Sequence, residues 1–178
     1  QNDSVLDIGT GPGIYALDIA KRAGDSHVIG IDISEVFVNI ARDRAADAKI
    51  HNIKFAPGNI ESLDFEDGSF TKIICAGVLS VVKKRDEAVR ELARVLRPGG
   101  RLAVREPRRS ETGLGSLFGA LPEKSRLRRV GSRMGLMFGH FSPEFMTESE
   151  MRALFAESGF SRLEIEHRGR DIFVTATK

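Results

Sequence analysis

Short β-branched runs alternate along this chain with stretches of helical length, and that alternation constrains the fold more than any other feature. The runs are Val5-Leu6-Asp7-Ile8, Val28-Ile29-Gly30-Ile31, Ile53-Lys54-Phe55, Phe70-Thr71-Lys72-Ile73-Ile74 and Leu102-Ala103-Val104. Residues 34–49 and 86–96 have helical length, and the second stretch places Val89, Leu92, Val95 and Leu96 on one face. Strands joined through helices pair in parallel, with right-handed crossovers. The pattern predicts an α/β, doubly wound, mostly parallel sheet with helices on both faces. The chain's end departs from it. Thr147-Glu148-Ser149-Glu150 reads as a capping box, Met146 and Met151 as its hydrophobic staple and Gly159 as a left-handed helix stop. The runs 162–166 and 172–177 flank an Arg168-Gly169-Arg170 turn so short that only an antiparallel hairpin fits. Residues 108–141 show scattered glycines and apolar clusters without a strand pattern, and are expected to form a lid inserted into a single domain spanning residues 1–178.

The first strand turns into the first helix through Asp7-Ile8-Gly9-Thr10-Gly11-Pro12-Gly13. Glycines there permit a tight turn and let a ligand approach the main chain. Asp32 closes the second strand about twenty residues later, where a carboxylate can accept both hydroxyls of a ribose. A nucleoside-type ligand follows from the pair. A nicotinamide-dependent oxidoreductase would favour G-x-G-x-x-G, whose third glycine falls on Ile14. Asp7 adds negative charge where a pyrophosphate would sit, which suits a sulfonium and an ammonium better than phosphates.

These motifs resemble the class I S-adenosylmethionine-dependent methyltransferases, in particular the small-molecule group that includes ubiquinone and menaquinone biosynthesis methyltransferases. Val5 to Gly13 is similar to that family's first motif, Gly30-Ile31-Asp32-Ile33-Ser34 to its acidic second-strand motif, and Leu96-Arg97-Pro98-Gly99-Gly100-Arg101-Leu102 to its turn into the fifth strand. The resemblance implies a Rossmann-like fold, S-adenosylmethionine as cofactor, and methyl transfer to a small-molecule acceptor by in-line displacement. It also implies that Gly9, Thr10, Gly11 and Gly13 cradle the methionine portion, with Asp7 helping its amino group through main chain or water. Asp32 would hold the ribose, Ile33 would pack on the adenine, and Asn59 and Ile60 would stand at its amino group, Asn59 replacing the family's usual aspartate. Cys75 and Ala76, ending the fourth strand, would wall the methionine end. Ser80 and Val81 stand where many relatives carry paired histidines, and the helix that usually precedes the first strand is missing, so a natural N-terminal segment is expected before Gln1. A non-catalytic S-adenosylmethionine-binding subunit is the competing reading within the family.

Methyl transfer from a sulfonium requires proximity, alignment and sometimes a base for the acceptor. His140 and Glu106 are the candidates for that base, against bland readings of a structural histidine and a solvated or salt-bridged carboxylate. Cys75 follows an apolar run without a nearby base and reads as a packed cysteine. His27, His51 and His167 read as surface residues, and Tyr15 as core. Between residues 105 and 133, Arg105, Arg108, Arg109, Lys124, Arg126, Arg128, Arg129 and Arg133 face only Glu106, Glu111 and Glu123, a balance suited to an anionic, partly apolar acceptor. Stacking aromatics are not interleaved with these cations, which argues against nucleic acid. With one cysteine, no zinc-type Cys/His spacing and no membrane-length apolar run, a cytoplasmic protein without a bound metal is expected.

Overall fold

The computed structural model describes residues 2–108 and 144–178. The strands are β1 (Ser4–Ile8), β2 (His27–Asp32), β3 (Ile53–Pro57), β4 (Phe70–Ala76), β5 (Leu96–Pro107), β6 (Arg162–Arg168) and β7 (Asp171–Thr177). The helices are α1 (Ile14–Arg22), α2 (Glu35–Asp47), α3 (Arg85–Val95) and α4 (Glu148–Ala156). Among the described residues, seven strands form one sheet in the order β3-β2-β1-β4-β5-β7-β6. Strands β1 to β5 run parallel, and β7 is antiparallel to both β5 and β6. The five parallel strands, the two central helices and the terminal hairpin stand where the sequence pattern predicted them. Strand β5 extends further than its apolar run, because the Arg97-Pro98-Gly99-Gly100 turn is continuous with it.

Side chains alternate across a strand, so neighbours in β1 build two different cores. Val5 packs with Val28 and Phe55 of the sheet and with Ala16, Leu17 and Ala20 of α1 and Val38, Ala41 and Ala45 of α2. Leu6 and Ile8 join Ile31, Ile73, Leu102, Val104 and Val174, covered by Ala88, Val89 and Leu92 of α3 and Met151 and Phe155 of α4. The sheet is thus doubly wound. The order reverses at β1, with β2 on one side and β4 on the other, so the crevice at their carboxyl ends is where an open α/β sheet binds ligands.

The capping box of α4 is complete: the Thr147 hydroxyl accepts from the Glu150 amide, and the Glu150 carboxylate accepts from the Thr147 amide at 2.8 Å. Met146 and Met151 are both buried in the larger core, as a staple requires. Two local expectations are corrected. Helix α4 ends at Ala156, capped at Glu157, so Gly159 with φ +83° shapes the turn beyond the helix rather than its stop. Tyr15 is not core, being 44% exposed, and its hydroxyl accepts a hydrogen bond from Arg105 Nη1 at 2.9 Å.

Candidate active site

The turn after β1 depends on three glycines in the left-handed region: Gly9 at φ +63°, Gly11 at +52° and Gly13 at +81°. The Gly13 amide donates to the Thr10 carbonyl and its own carbonyl accepts from Leu17, so the turn closes and α1 begins in one step. The Thr10 amide donates to Ile31 of β2 at 2.9 Å, and the Thr10 hydroxyl donates to Asp7 Oδ2 at 2.7 Å. Gly30 lies opposite Asp7 in the β1–β2 register. A Cβ there would stand 2.8 Å from the Thr10 hydroxyl and 2.6 Å from the Phe55 ring, so the absent side chain makes room for this bond.

Asp7 and Asp32 bracket the turn, both nearly buried. Asp32 Oδ2 accepts from the Gly11 amide at 2.8 Å and Oδ1 from the Ser34 amide at 2.9 Å, which aims the carboxylate along the rim of the turn. Burial pushes the Asp7 carboxyl up to about 6; the Thr10 and Ala16 hydrogen bonds oppose that rise, and the charge of Asp32 adds to it. Two carboxylates so close favour a cation between them. A Cβ on Gly11 would meet open space, so the main chain is accessible there. Ile33, beside Asp32, is 72% exposed and offers an apolar platform at the mouth of the crevice. The residues present therefore fit a nucleoside carrying a cationic amino-acid tail.

Other sequence candidates fall less simply. Asn59 is exposed, and its Oδ1 accepts from the Glu61 amide at 3.0 Å, leaving a second lone pair and the amino group outward. The side chains of Ile60 and Cys75 are buried within the larger core. Burial first, then the charges of Glu106 and Asp7, raises the Cys75 thiol well above its ordinary value, in line with a packed cysteine rather than a nucleophile. His140 and the basic residues from Arg109 to Arg133 lie outside the described residues.

Glu106 is not solvated, and among the described residues it has no salt-bridge partner. It is 1% exposed, and its carboxylate accepts from three successive amides, Val78 at 2.7 Å, Leu79 at 2.8 Å and Ser80 at 3.2 Å. Burial raises its pKa against the lowering effect of those bonds. Arg105 and Arg108 are likewise engaged at the sheet: Arg105 pairs with Asp171 at 2.6 Å, and Arg108 lies 2.9 Å from His167 Nδ1. His167 is more than a surface residue, since its Nε2 meets Glu148 at 2.5 Å and links β6 to α4. Among the described residues no cluster of three or more His, Cys, Asp or Glu could hold a metal, and no helix is long and apolar enough to cross a membrane.

An open sheet with a glycine turn and acidic strand ends at its switch point defines a nucleoside-binding α/β protein. Residues 1–156 match the family described as methyltransferase domain, and the chain belongs to that family. It is 28% identical over 177 residues to a demethylmenaquinone methyltransferase of Listeria welshimeri, covering 95% of this chain and 75% of that one. It is 31% identical over 171 residues to a ubiquinone/menaquinone biosynthesis C-methyltransferase of Pseudomonas entomophila, covering 92% of this chain and 67% of that one. In fold it is similar to a SAM-dependent methyltransferase of Aquifex aeolicus, with TM-score 0.73 at 21% identity over 98% of this chain and 81% of that one.

Proposed function

We propose that the protein uses the crevice beside β1 and β2 to bind S-adenosylmethionine and transfers its methyl group to a partly apolar, anionic acceptor of the quinone-precursor kind for which its relatives are named. It is an S-adenosylmethionine-dependent methyltransferase acting on a small molecule, as its family membership implies. The supporting observation is the turn itself, with its open Gly11 main chain between the Asp7 and Asp32 carboxylates. Bound there, the cofactor supplies an electrophilic methyl carbon on a sulfonium.

The chain's own residues then have definable tasks. Gly11, with open space where a side chain would stand, would let the amino-acid tail approach the main chain, and Thr10 holds Asp7 in place beside the turn. Asp32, oriented by two amides, would hold the ribose hydroxyls with its remaining acceptor capacity, while Ile33 would pack on the base and Asn59 would bind its amino group. Catalysis rests on proximity and exclusion of water, which an in-line displacement chiefly needs. The basic residues of the 105–133 stretch favour a negatively charged acceptor. A cytoplasmic setting suits this cofactor and the single free cysteine.

Calorimetric titration tests the reading. S-adenosylhomocysteine should bind and raise the melting temperature, whereas NADH should do neither. The opposite preference would restore the nicotinamide-dependent reading, and binding without turnover on any demethylated quinone would favour the non-catalytic subunit.

A further inference from the structure

A buried carboxylate without compensation is costly, so three amides converging on Glu106 call for an account. Glu106 sits one residue from the end of β5, on the sheet face it shares with Leu102 and Val104. Its three donors belong to the loop that leaves β4. The neighbouring main chain holds the same loop, since the Gly77 amide donates to the Arg105 carbonyl at 2.8 Å. The far side is tied by Arg85 Nε to the Leu79 carbonyl at 2.8 Å and by the Glu144 amide to the Ser80 carbonyl at 2.7 Å. What the loop carries is Val78. A Cβ built on Gly9 would lie 2.3 Å from Val78 Cγ2, so Val78 is seated flush on the glycine turn.

From this geometry we infer that Glu106 is a positioning residue: its carboxylate fixes residues 78–80 so that Val78 holds the Gly9 turn in its ligand-binding shape. It acts through the loop and not as the acceptor's base. The role requires a carboxylate, since both oxygens accept; a glutamine would aim an N–H at one of the amides. The inference rests on the cofactor reading above and extends it to a side chain that need not touch the ligand.

The test measures S-adenosylhomocysteine affinity by calorimetry together with amide hydrogen exchange of the protein without ligand. Glu106→Gln should speed exchange at residues 78–80 by about tenfold or more and weaken S-adenosylhomocysteine by a similar factor, the scale of one charge-assisted hydrogen bond. Glu106→Ala should exceed it in both. Val174→Ala, buried in the neighbouring strand on the same sheet face, should lower the melting temperature yet leave affinity within about twofold. Faster exchange in Glu106→Gln with unchanged affinity would overturn the inference while leaving the cofactor reading intact. A wild-type protein that fails to bind S-adenosylhomocysteine would remove both. Should Glu106→Gln not fold, Val78→Ala decides: affinity reduced several-fold with residues 79–80 still protected supports the coupling, and wild-type affinity refutes it.

Discussion

Gly11→Ala and Gly13→Ala place one methyl group two residues apart in the same turn, yet the structure assigns them different consequences. Both glycines have positive φ, +52° and +81°, so each alanine bears the left-handed penalty of about 1–2 kcal/mol. At Gly11 that is the whole cost, because nothing lies within 4 Å of the new Cβ. At Gly13 the Cβ would meet Phe55 Cζ at 3.0 Å, the Ala41 Cβ at 3.1 Å and Leu17 Cδ1 at 3.3 Å, all on buried residues. Overpacking a core site of this kind adds about 1–3 kcal/mol. Gly13→Ala should therefore lose about 2–5 kcal/mol, a large share of a typical domain's stability, against about 1–2 for Gly11→Ala. Urea unfolding of both variants reads the difference directly, provided the slopes match the wild type. Calorimetry with S-adenosylhomocysteine should reverse the order relative to stability: the Gly11 methyl group would occupy open space at the turn proposed to take the ligand, and should weaken binding beyond its effect on folding. Equal stabilities for the two variants would refute the packing argument, and undiminished binding by Gly11→Ala would mean that the ligand does not approach this main chain.

Three further outcomes follow from other contacts. Asp32→Ala should cost about 1.5–3 kcal/mol of S-adenosylhomocysteine affinity, the scale of a charged acceptor removed from a site, measured by calorimetry on the folded variant. Asp7, raised from 3.8 to about 6 by burial, favours the fold when protonated; its contribution is complete only well below pH 3.8 and is lost as pH rises through about 6. The wild type should accordingly lose about 2.4 kcal/mol relative to Asp7→Asn between pH 4 and pH 7, and a flat difference in urea unfolding would place Asp7 in the ordinary carboxylate range. Thr147→Ala removes the N-cap of α4 and should cost about 1 kcal/mol in the same assay, with ligand affinity unchanged.

What could be read from the sequence divides along a physical line. The strands, α2, α3, the terminal hairpin and the α4 cap were legible because they follow from local periodicity and from partners three or four residues apart, such as Thr147 with Glu150. The glycine turn was legible for the same reason, its Thr10 to Asp7 bond spanning three residues. The misreadings arose where a side chain's partner sits on another strand. Tyr15 belongs to an apolar stretch of α1, but its hydroxyl reaches Arg105, ninety positions away, at the exposed rim of the sheet. Cys75 and Ile60 were expected at the ligand because they end or follow strands, and their burial in the core that α3 and α4 cover is a tertiary fact no local pattern announces. Glu106 is the sharpest case. In sequence it stands among arginines and reads as a surface acid or a base, because nothing nearby announces that the β4–β5 register sets Ala76 beside Arg105. That pairing brings the loop after β4 over the end of β5, and the three amides it presents replace the water that a glutamate at this position would otherwise keep. The packing of this sheet's carboxyl edge therefore depends on contacts between the loop after β4 and the end of β5. Strand register creates those contacts, and no local pattern of residues encodes them.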